Sequence, residues 1–256
     1  MRAKFPRMYA IYQEITGEIY YEFLGMGPLV RRIAKKRLFE VEKRWNDPVE
    51  VAFTFDGIGP YKSIQPVQIK SEIGELFQIV QNSKPKVICE IGCGIGGTLY
   101  LWSKILSSDC LIISIDLPRL YRKSLNRFFY SFFQNSHQVF FLRQNSHSVE
   151  CLERLDTILN GKNGKKIDFL FIDADHSYEG VKRDFKRYSK FVKKDGLIAF
   201  HDIVKHDLPE EACGSDKFWS EIKLFYKHKE IVEDPRQKWG GIGLLYFDPE
   251  KEFPLT

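Results

Sequence analysis

One glycine loop and four short polar clusters hold the residues with chemistry to offer. The loop is EIGCGIGGT, residues 90–98, with glycines at 92, 94, 96 and 97. Glycines so closely spaced let a backbone turn tightly and leave room for a ligand to approach main-chain amides. An acid, Glu90, stands two residues before the first of them. Asp116 closes the apolar run LIISI, where a carboxylate can accept both hydroxyls of a ribose. Gln144-Asn145-Ser146 follows VFFL, Asp173 to His176 (DADH) follows DFLFI, and His201-Asp202 ends LIAFH. The acids Asp173 and Asp202 offer hard anionic oxygens of the kind a divalent cation wants. His176 has the side chain whose ordinary pKa, near 6.5, suits it to take a proton at neutral pH.

These clusters fall at the ends of apolar runs. VICEI (87–91), LIISI (111–115), VFFL (139–142), DFLFI (168–172), LIAFH (197–201) and GLLYF (243–247) read as strands. Helical patterns lie between them near 97–107, 118–133, 148–160, 179–193 and 216–228, with another in VQIKSEIGELFQIVQNS ahead of the first strand. Continuous apolar strands alternating with helices predict a parallel sheet covered on both faces. Such sheets bind ligands outside the carboxyl ends of their strands, and that is where the five groups stand.

Composition narrows the function. The chain has 256 residues, 43% hydrophobic and 29% charged, enough for one large core. No window approaches the roughly 18 apolar residues of a membrane span, and the N-terminus lacks the pattern of a secretory signal. Five cysteines without a C-x-x-C pair argue against a structural zinc site and for a reducing cytoplasm. The net charge of +5 resides in residues 1–44, which hold ten Lys/Arg against five Glu, so the remainder is neutral. A nucleic-acid enzyme would also spread cations around its cleft, so a nucleic-acid partner is argued against. Ala34, Leu38, Val41 and Trp45 recur at helical spacing beside Arg31-Arg32 and Lys35-Lys36-Arg37, which predicts an amphipathic helix. Its cationic face reads first as a solvated surface, with peripheral membrane contact through 29–45 or an acidic partner as the alternatives. Residues 1–62 are expected to form a helical cap, and 63–256 the ligand-binding domain.

The glycine pattern alone does not separate two ligand classes. Gly92, Gly94 and Gly97 satisfy G-x-G-x-x-G, so a nicotinamide dinucleotide stays open on that count. Glu90 discriminates better, because a carboxylate repels a pyrophosphate and attracts the ammonium of an amino acid. With VICEIGCGIGG followed by Asp116, the chain resembles the class I S-adenosylmethionine-dependent methyltransferases from about residue 65 to 247. The resemblance implies a Rossmann-like, mostly parallel twisted sheet with an antiparallel last strand at 240–247. It implies that Glu90, Gly92 and Gly94 hold the methionine part, with Gly96 also in the cofactor-binding loop, that Asp116 binds the ribose, and that Gln144-Asn145-Ser146 flanks the adenine.

FLFIDADHSYEGVKRDFKRYSKFVKKDGLIAFHD (169–202) is similar to the cephalosporin-hydroxylase-like and metal-dependent O-methyltransferases. That similarity implies a divalent cation, magnesium or manganese, on Asp173, His201 and Asp202, with His176 as general base and Asp173 in the reaction site. His201 departs from the pattern, since an imidazole suits manganese, iron or zinc better than magnesium. It is alternatively a hydrogen-bonded group beneath the site, His176 an exposed loop residue, and Asp116 a helix cap. Asp175 is expected to cap the helix beginning near Ser177. The function this implies is O-methylation of a hydroxyl on a small molecule or sugar. Methylation of nucleic acid or protein, and a non-catalytic cofactor-binding subunit, are the competing readings. Nothing in the sequence names the acceptor, and a homo-oligomer stays open.

Overall fold

Runs of β-branched and aromatic residues form the strands, and their pairing aligns every candidate residue on one edge. The computed structural model describes residues 26–105, 110–118, 127–132, 138–162, 164–209, 212–251 and 253. Residues 1–25 of the expected cap, and most of the helix expected near 118–133, lie outside the described residues. The strands are β1 (Val87–Ile91), β2 (Leu111–Asp116), β3 (Gln138–Arg143), β4 (Ile167–Ile172), β5 (Val192–His201), β6 (Lys227–Ile231) and β7 (Ile242–Phe247). They make one sheet in the order β3-β2-β1-β4-β5-β7-β6, with β7 antiparallel to both its neighbours. This is the Rossmann-like sheet, with its reversed last strand, that the sequence predicts.

Register does the positioning. Ile91 pairs with Ile115 and Ile172, Asp116 with Arg143, and Ile172 with Phe200. The residues that follow β1 to β4, and His201 at the end of β5, therefore emerge on one rim. The pleat sends alternate side chains to opposite layers. Ile88, Phe169 and Phe171 face one layer, and Cys89, Leu170 and Ile198 face the other.

The first layer contains α1 (Gly27–Arg44), α2 (Pro48–Thr54), α3 (Lys70–Ser83) and α4 (Gly97–Ile105). Val30, Ala34 and Leu38 of α1 join Ile73, Leu76 and Phe77 of α3 and Leu99 and Trp102 of α4 in one buried cluster, so α1 shares its core with the sheet. Trp45, expected on that apolar stripe, is 40% exposed, because α1 ends at Arg44 and the chain turns extended at Trp45. The opposite layer contains α5 (Val149–Asn160), α6 (Tyr178–Tyr188) and α7 (Ser215–Ile222). No helix among the described residues is long and apolar enough to cross a membrane.

The sequence reading misses β6. The segment KHKEI is exposed except for Ile231 and has no apolar run, and it falls partly within the helix expected over 216–228. The helix stops at Ile222, and ladder bonding to β7, pairing Lys227 with Tyr246 through to Ile231 with Ile242, imposes the extended form. Tertiary pairing overrides local pattern at a sheet edge.

Phe171 is fully buried, with its ring edge-on to Trp102 at 5.9 Å. Phe171→Ala is expected to destabilise the fold by about 3–5 kcal/mol, the usual cost of an aromatic-sized cavity. Urea denaturation followed by circular dichroism measures it.

Candidate active site

A cleft of about 480 Å³ opens on the rim and is lined by Gly92, Gly94, Asp116, Asn145, Ser146, Asp173 and His176, among others. With Gln144 and Asp175, nine residues singled out from the sequence thus meet around one space. Glu90, Gly96, His201 and Asp202 do not line it.

The glycine loop is tight for two different reasons. Gly92 has φ +92°, and a Cβ there would collide with the carbonyl oxygen of Asp173, so the β1 loop lies directly on the chain leaving β4. Its N–H donates to Ile115 O at 2.8 Å, and Asp173 N–H donates to Ile91 O at 2.9 Å. Gly94 has φ +48°, and a Cβ there would meet nothing within 4 Å, which leaves open space on the cleft side. Gly96 instead faces the Phe129 ring.

Asp116 is held from behind. Cys93 N–H donates to its Oδ2 at 3.0 Å and Leu117 N–H to its Oδ1 at 2.7 Å, which fixes the carboxylate at the cleft wall. Glu90 is wholly buried, and its Oε1 accepts from the Trp102 indole at 2.9 Å. Burial pushes its pKa up to about 8, against the pull of hydrogen bonds from Thr98 and Trp102. Its Oε2 is left without a well-formed hydrogen bond.

At the other end, Asp173, His176, His201 and Asp202 form one network. His176 Nδ1 is 3.1 Å from Asp202 Oδ2. His201 Nδ1 stands 3.2 Å from Asp173 Oδ1 and 3.5 Å from Asp202 Oδ2. Gln68 Nε2 donates to Asp173 Oδ2 at 2.6 Å, and Gly240 N–H donates to Asp202 Oδ1 at 3.2 Å. Asp202 has φ +60°, a left-handed conformation uncommon outside glycine, which turns its side chain back toward His176. Burial pushes Asp202 up, but the His176 bond and the two imidazole charges hold its pKa at about 2. The Asp202 bond, chiefly, raises His176 above the ordinary histidine value. Burial depresses His201, yet Asp173, Asp202 and Glu72 outweigh it and the net shift is upward. The neutral fraction of His176 at pH 7 is therefore smaller than an unperturbed imidazole would have.

The implied cation can be tested against this donor set. Each oxygen of Asp173 and Asp202 already faces a nitrogen of the protein. Among the described residues no three His, Cys, Asp or Glu side chains are disposed to hold a metal ion. Two carboxylates and two imidazoles have suitable chemistry, but as arranged they neutralise one another and do not fit a bound cation.

Asp175 is not the helix cap: Ser177 Oγ caps α6 by accepting from Gly180 N–H at 3.1 Å, and Asp175 Oδ1 accepts from Ser177 N–H at 3.1 Å. Four contributors escaped the sequence reading. Gln68 lies in a segment without a motif. Glu72 is 1% exposed, and its oxygens accept from the N–H of Glu233 and Gly241 and from Gln237 Nε2, which clamps the β6–β7 loop. Glu72 does carry a signal, as an acid on the apolar stripe of Ile69, Ile73 and Leu76. His147 lines the cleft, and Asp184 behind it is wholly buried.

The fold is Rossmann-like, with the cleft at the carboxyl ends of its parallel strands. Residues 89–203 match the family model described as a methyltransferase domain. Over 119 residues it is 33% identical to the uncharacterized protein R132 of Acanthamoeba polyphaga mimivirus, covering 44% of this chain and 49% of that one. The match thus spans about half the length of this curated relative. An O-methyltransferase from Bacillus cereus, solved with S-adenosylhomocysteine, superposes with TM-score 0.54 at 15% identity, covering 83% of this chain and 91% of its own. The O-methyltransferase TomG from Streptomyces achromogenes, involved in tomaymycin synthesis and solved with S-adenosylmethionine, gives TM-score 0.54 at 14% identity, covering 84% and 90%.

The two glycines separate by experiment. Gly94→Ala is expected to cost about 1–2 kcal/mol, the ordinary strain of a left-handed alanine, and to leave the fold intact. Gly92→Ala displaces the backbone at Asp173 and should lower the melting temperature further; thermal denaturation of the two variants compares them.

Proposed function

We propose that the protein is an S-adenosylmethionine-dependent O-methyltransferase acting on a hydroxyl of a small molecule or sugar. The observation that carries this reading is one cleft lined both by the Gly92–Gly94 loop with Asp116 and by His176, which Asp202 holds from outside the lining. The cofactors in the two solved O-methyltransferases of the same fold support the donor. Five free, buried cysteines support a reducing compartment such as the cytoplasm.

The cleft has room for the cofactor, and its residues have the right chemistry. We assign the methionine part to the loop at Gly92 and Gly94, which line the cleft, with Glu90 buried in β1 behind that loop. Asp116 takes the ribose hydroxyls, and Asn145 and Ser146 flank the adenine. When bound, the cofactor supplies an electrophilic methyl on a sulfonium. The chain's own work is to align the acceptor hydroxyl and remove its proton. With Nδ1 of His176 committed to Asp202, Nε2 is the nitrogen left to accept that proton, and the Asp202 carboxylate stabilises the imidazolium formed. No step here runs through a metal; turnover in excess EDTA decides the cation reading, and loss restored by manganese or magnesium would reinstate Asp173, His201 and Asp202 as its ligands.

Asp116→Ala is expected to weaken S-adenosylhomocysteine binding by about 1–3 kcal/mol, the cost of leaving buried hydroxyls unpaired. Calorimetric titration tests it, and unchanged affinity or binding of NAD would refute the assignment.

The pH dependence follows from His176. Its folded pKa is raised, so it stays protonated and inactive as a base at lower pH, and the rate should climb as pH rises through that value, above 6.5. Asp202→Asn removes the anion and should shift this limb to lower pH while lowering the plateau. His176→Ala should cost about a hundredfold in rate. A pH–rate profile of the three proteins with any accepted hydroxyl compound measures both effects.

A further inference from the structure

We propose that the outer face of α1 is a docking surface for an anionic membrane, with Arg32, Lys35, Lys36 and Lys43 among the lipid headgroups and Leu29 and Phe39 reaching into the acyl boundary. The inference uses no residue of the cleft and is independent of the cofactor reading.

The net charge of the whole chain is concentrated on this one helix. α1 holds seven Lys/Arg against two Glu, a net +5, and +5 is also the net charge of all 256 residues, so the rest of the chain is balanced. Part of the helix's charge is taken up inside the protein. Arg37 Nη1 donates to Gly57 O at 2.7 Å. Glu42 turns toward α4, where Lys104 Nζ is 2.6 Å from its Oε1 and Tyr100 Oη–H donates to the same oxygen at 2.9 Å. Of the helix's two acids, only Glu40 stays on the outer side. Arg32, Lys35, Lys36 and Lys43 are exposed there, and none of the four has an ion-pair partner among the described residues.

The same face is also apolar. Leu29, Arg32, Lys36, Phe39 and Lys43 recur at intervals of three and four residues, the spacing that keeps side chains on one side of a helix. They lie opposite Val30, Ala34 and Leu38, the buried stripe that fastens α1 to the body of the protein. Leu29 is 54% exposed and Phe39 53%. The two stand about 15 Å apart along the helix axis. Lys43 Nζ lies 4.3 Å from the centre of the Phe39 ring, so a cation and an aromatic ring are presented side by side.

This pairing of charge and apolar surface selects the partner. A nucleic-acid backbone would engage the cations and leave Leu29 and Phe39 in water. A second copy of the helix would meet its own positive charge. An anionic bilayer offers a flat layer of negative headgroups with hydrocarbon directly beneath, which accommodates both kinds of side chain at once. Because α1 is anchored by its opposite side, the face can meet such a surface without unfolding anything.

The test is sedimentation of the full chain with vesicles of phosphatidylcholine alone and of phosphatidylcholine with about one third phosphatidylserine. The wild type should bind the anionic vesicles at least about tenfold more strongly, and raised salt should remove the difference. Arg32→Gln combined with Lys36→Gln should weaken that binding by about 25-fold, at about fivefold for each cation near the surface. Phe39→Ser should weaken it by about tenfold, the effect of losing a half-buried ring. All three side chains are exposed, so circular dichroism of both variants should match the wild type. A wild type that does not distinguish the two vesicles, or binding that both variants retain, overturns the inference. Binding that the double variant loses and Phe39→Ser keeps also overturns it, because the face would then be a polyanion site, and an oligonucleotide titration would show the same pattern.

Discussion

Asp173 and Asp202 leave neighbouring strand ends, and two carboxylates so close repel each other unless something cationic stands between them. His201 Nδ1 stands there, within 3.2 Å of one and 3.5 Å of the other, with its side chain only 3% exposed. Much of the acceptor end follows from this. Asp202 takes up a left-handed backbone to bring its second oxygen near Gly240 N–H, and Gln68 closes off Asp173. His176 then completes the set, so that two anions are balanced by two imidazoles whose pKa values are both raised. Polar groups fixed in this way before any ligand arrives need not reorganise as charge moves, which is where such sites gain most of their effect.

A second pattern repeats the same physics further out. Glu72 and Asp184 are acids on the apolar stripes of two helices, each buried and each facing a loop. Glu72 on α3 takes two main-chain N–H groups and one side-chain amide of the segment 233–241, the segment whose Gly240 meets Asp202. Asp184 on α6 takes His147 of the segment 144–148. A buried acid is a poor way to add stability, because its desolvation offsets most of what its bonds return. It is a good way to fix one loop geometry, since displacing the loop strands the charge.

The sheet was readable because its strands are apolar runs, and the rim residues because they follow those runs. The cleft-lining Gly92, Gly94, Asp116, Asn145, Ser146, Asp173 and His176 are all local in that sense. What escaped depends on long-range partners. Gln68 meets Asp173 across 105 residues and Glu72 meets Gly241 across 169, and neither separation leaves a spacing to recognise. The strand β6 escaped because an exposed edge strand needs only backbone partners. Glu90 stood out for its sign, yet burial rather than charge governs it, and an acid with a pKa of about 8 is mostly neutral at pH 7 until a cation approaches. The acids on apolar stripes were the one long-range signal in plain view, because the pattern that makes a helix amphipathic also marks any charge placed on its buried side.

One helix joins the two ends of the cleft. Ser177, directly after His176, caps α6, and the same helix then presents Asp184, Arg187 and Tyr188 to the segment 144–148. From Ser177 to Asp184 the axis advances about 10 Å at the α-helical rise. A helix hardly changes length, so His176 and the segment 144–148 are set apart by a fixed spacer rather than by two independent loops. In-line displacement tolerates little misalignment between nucleophile, carbon and leaving group. A ligand spanning the cleft and held at its far end by 144–148 would therefore have its reacting end located relative to His176 by the backbone of α6.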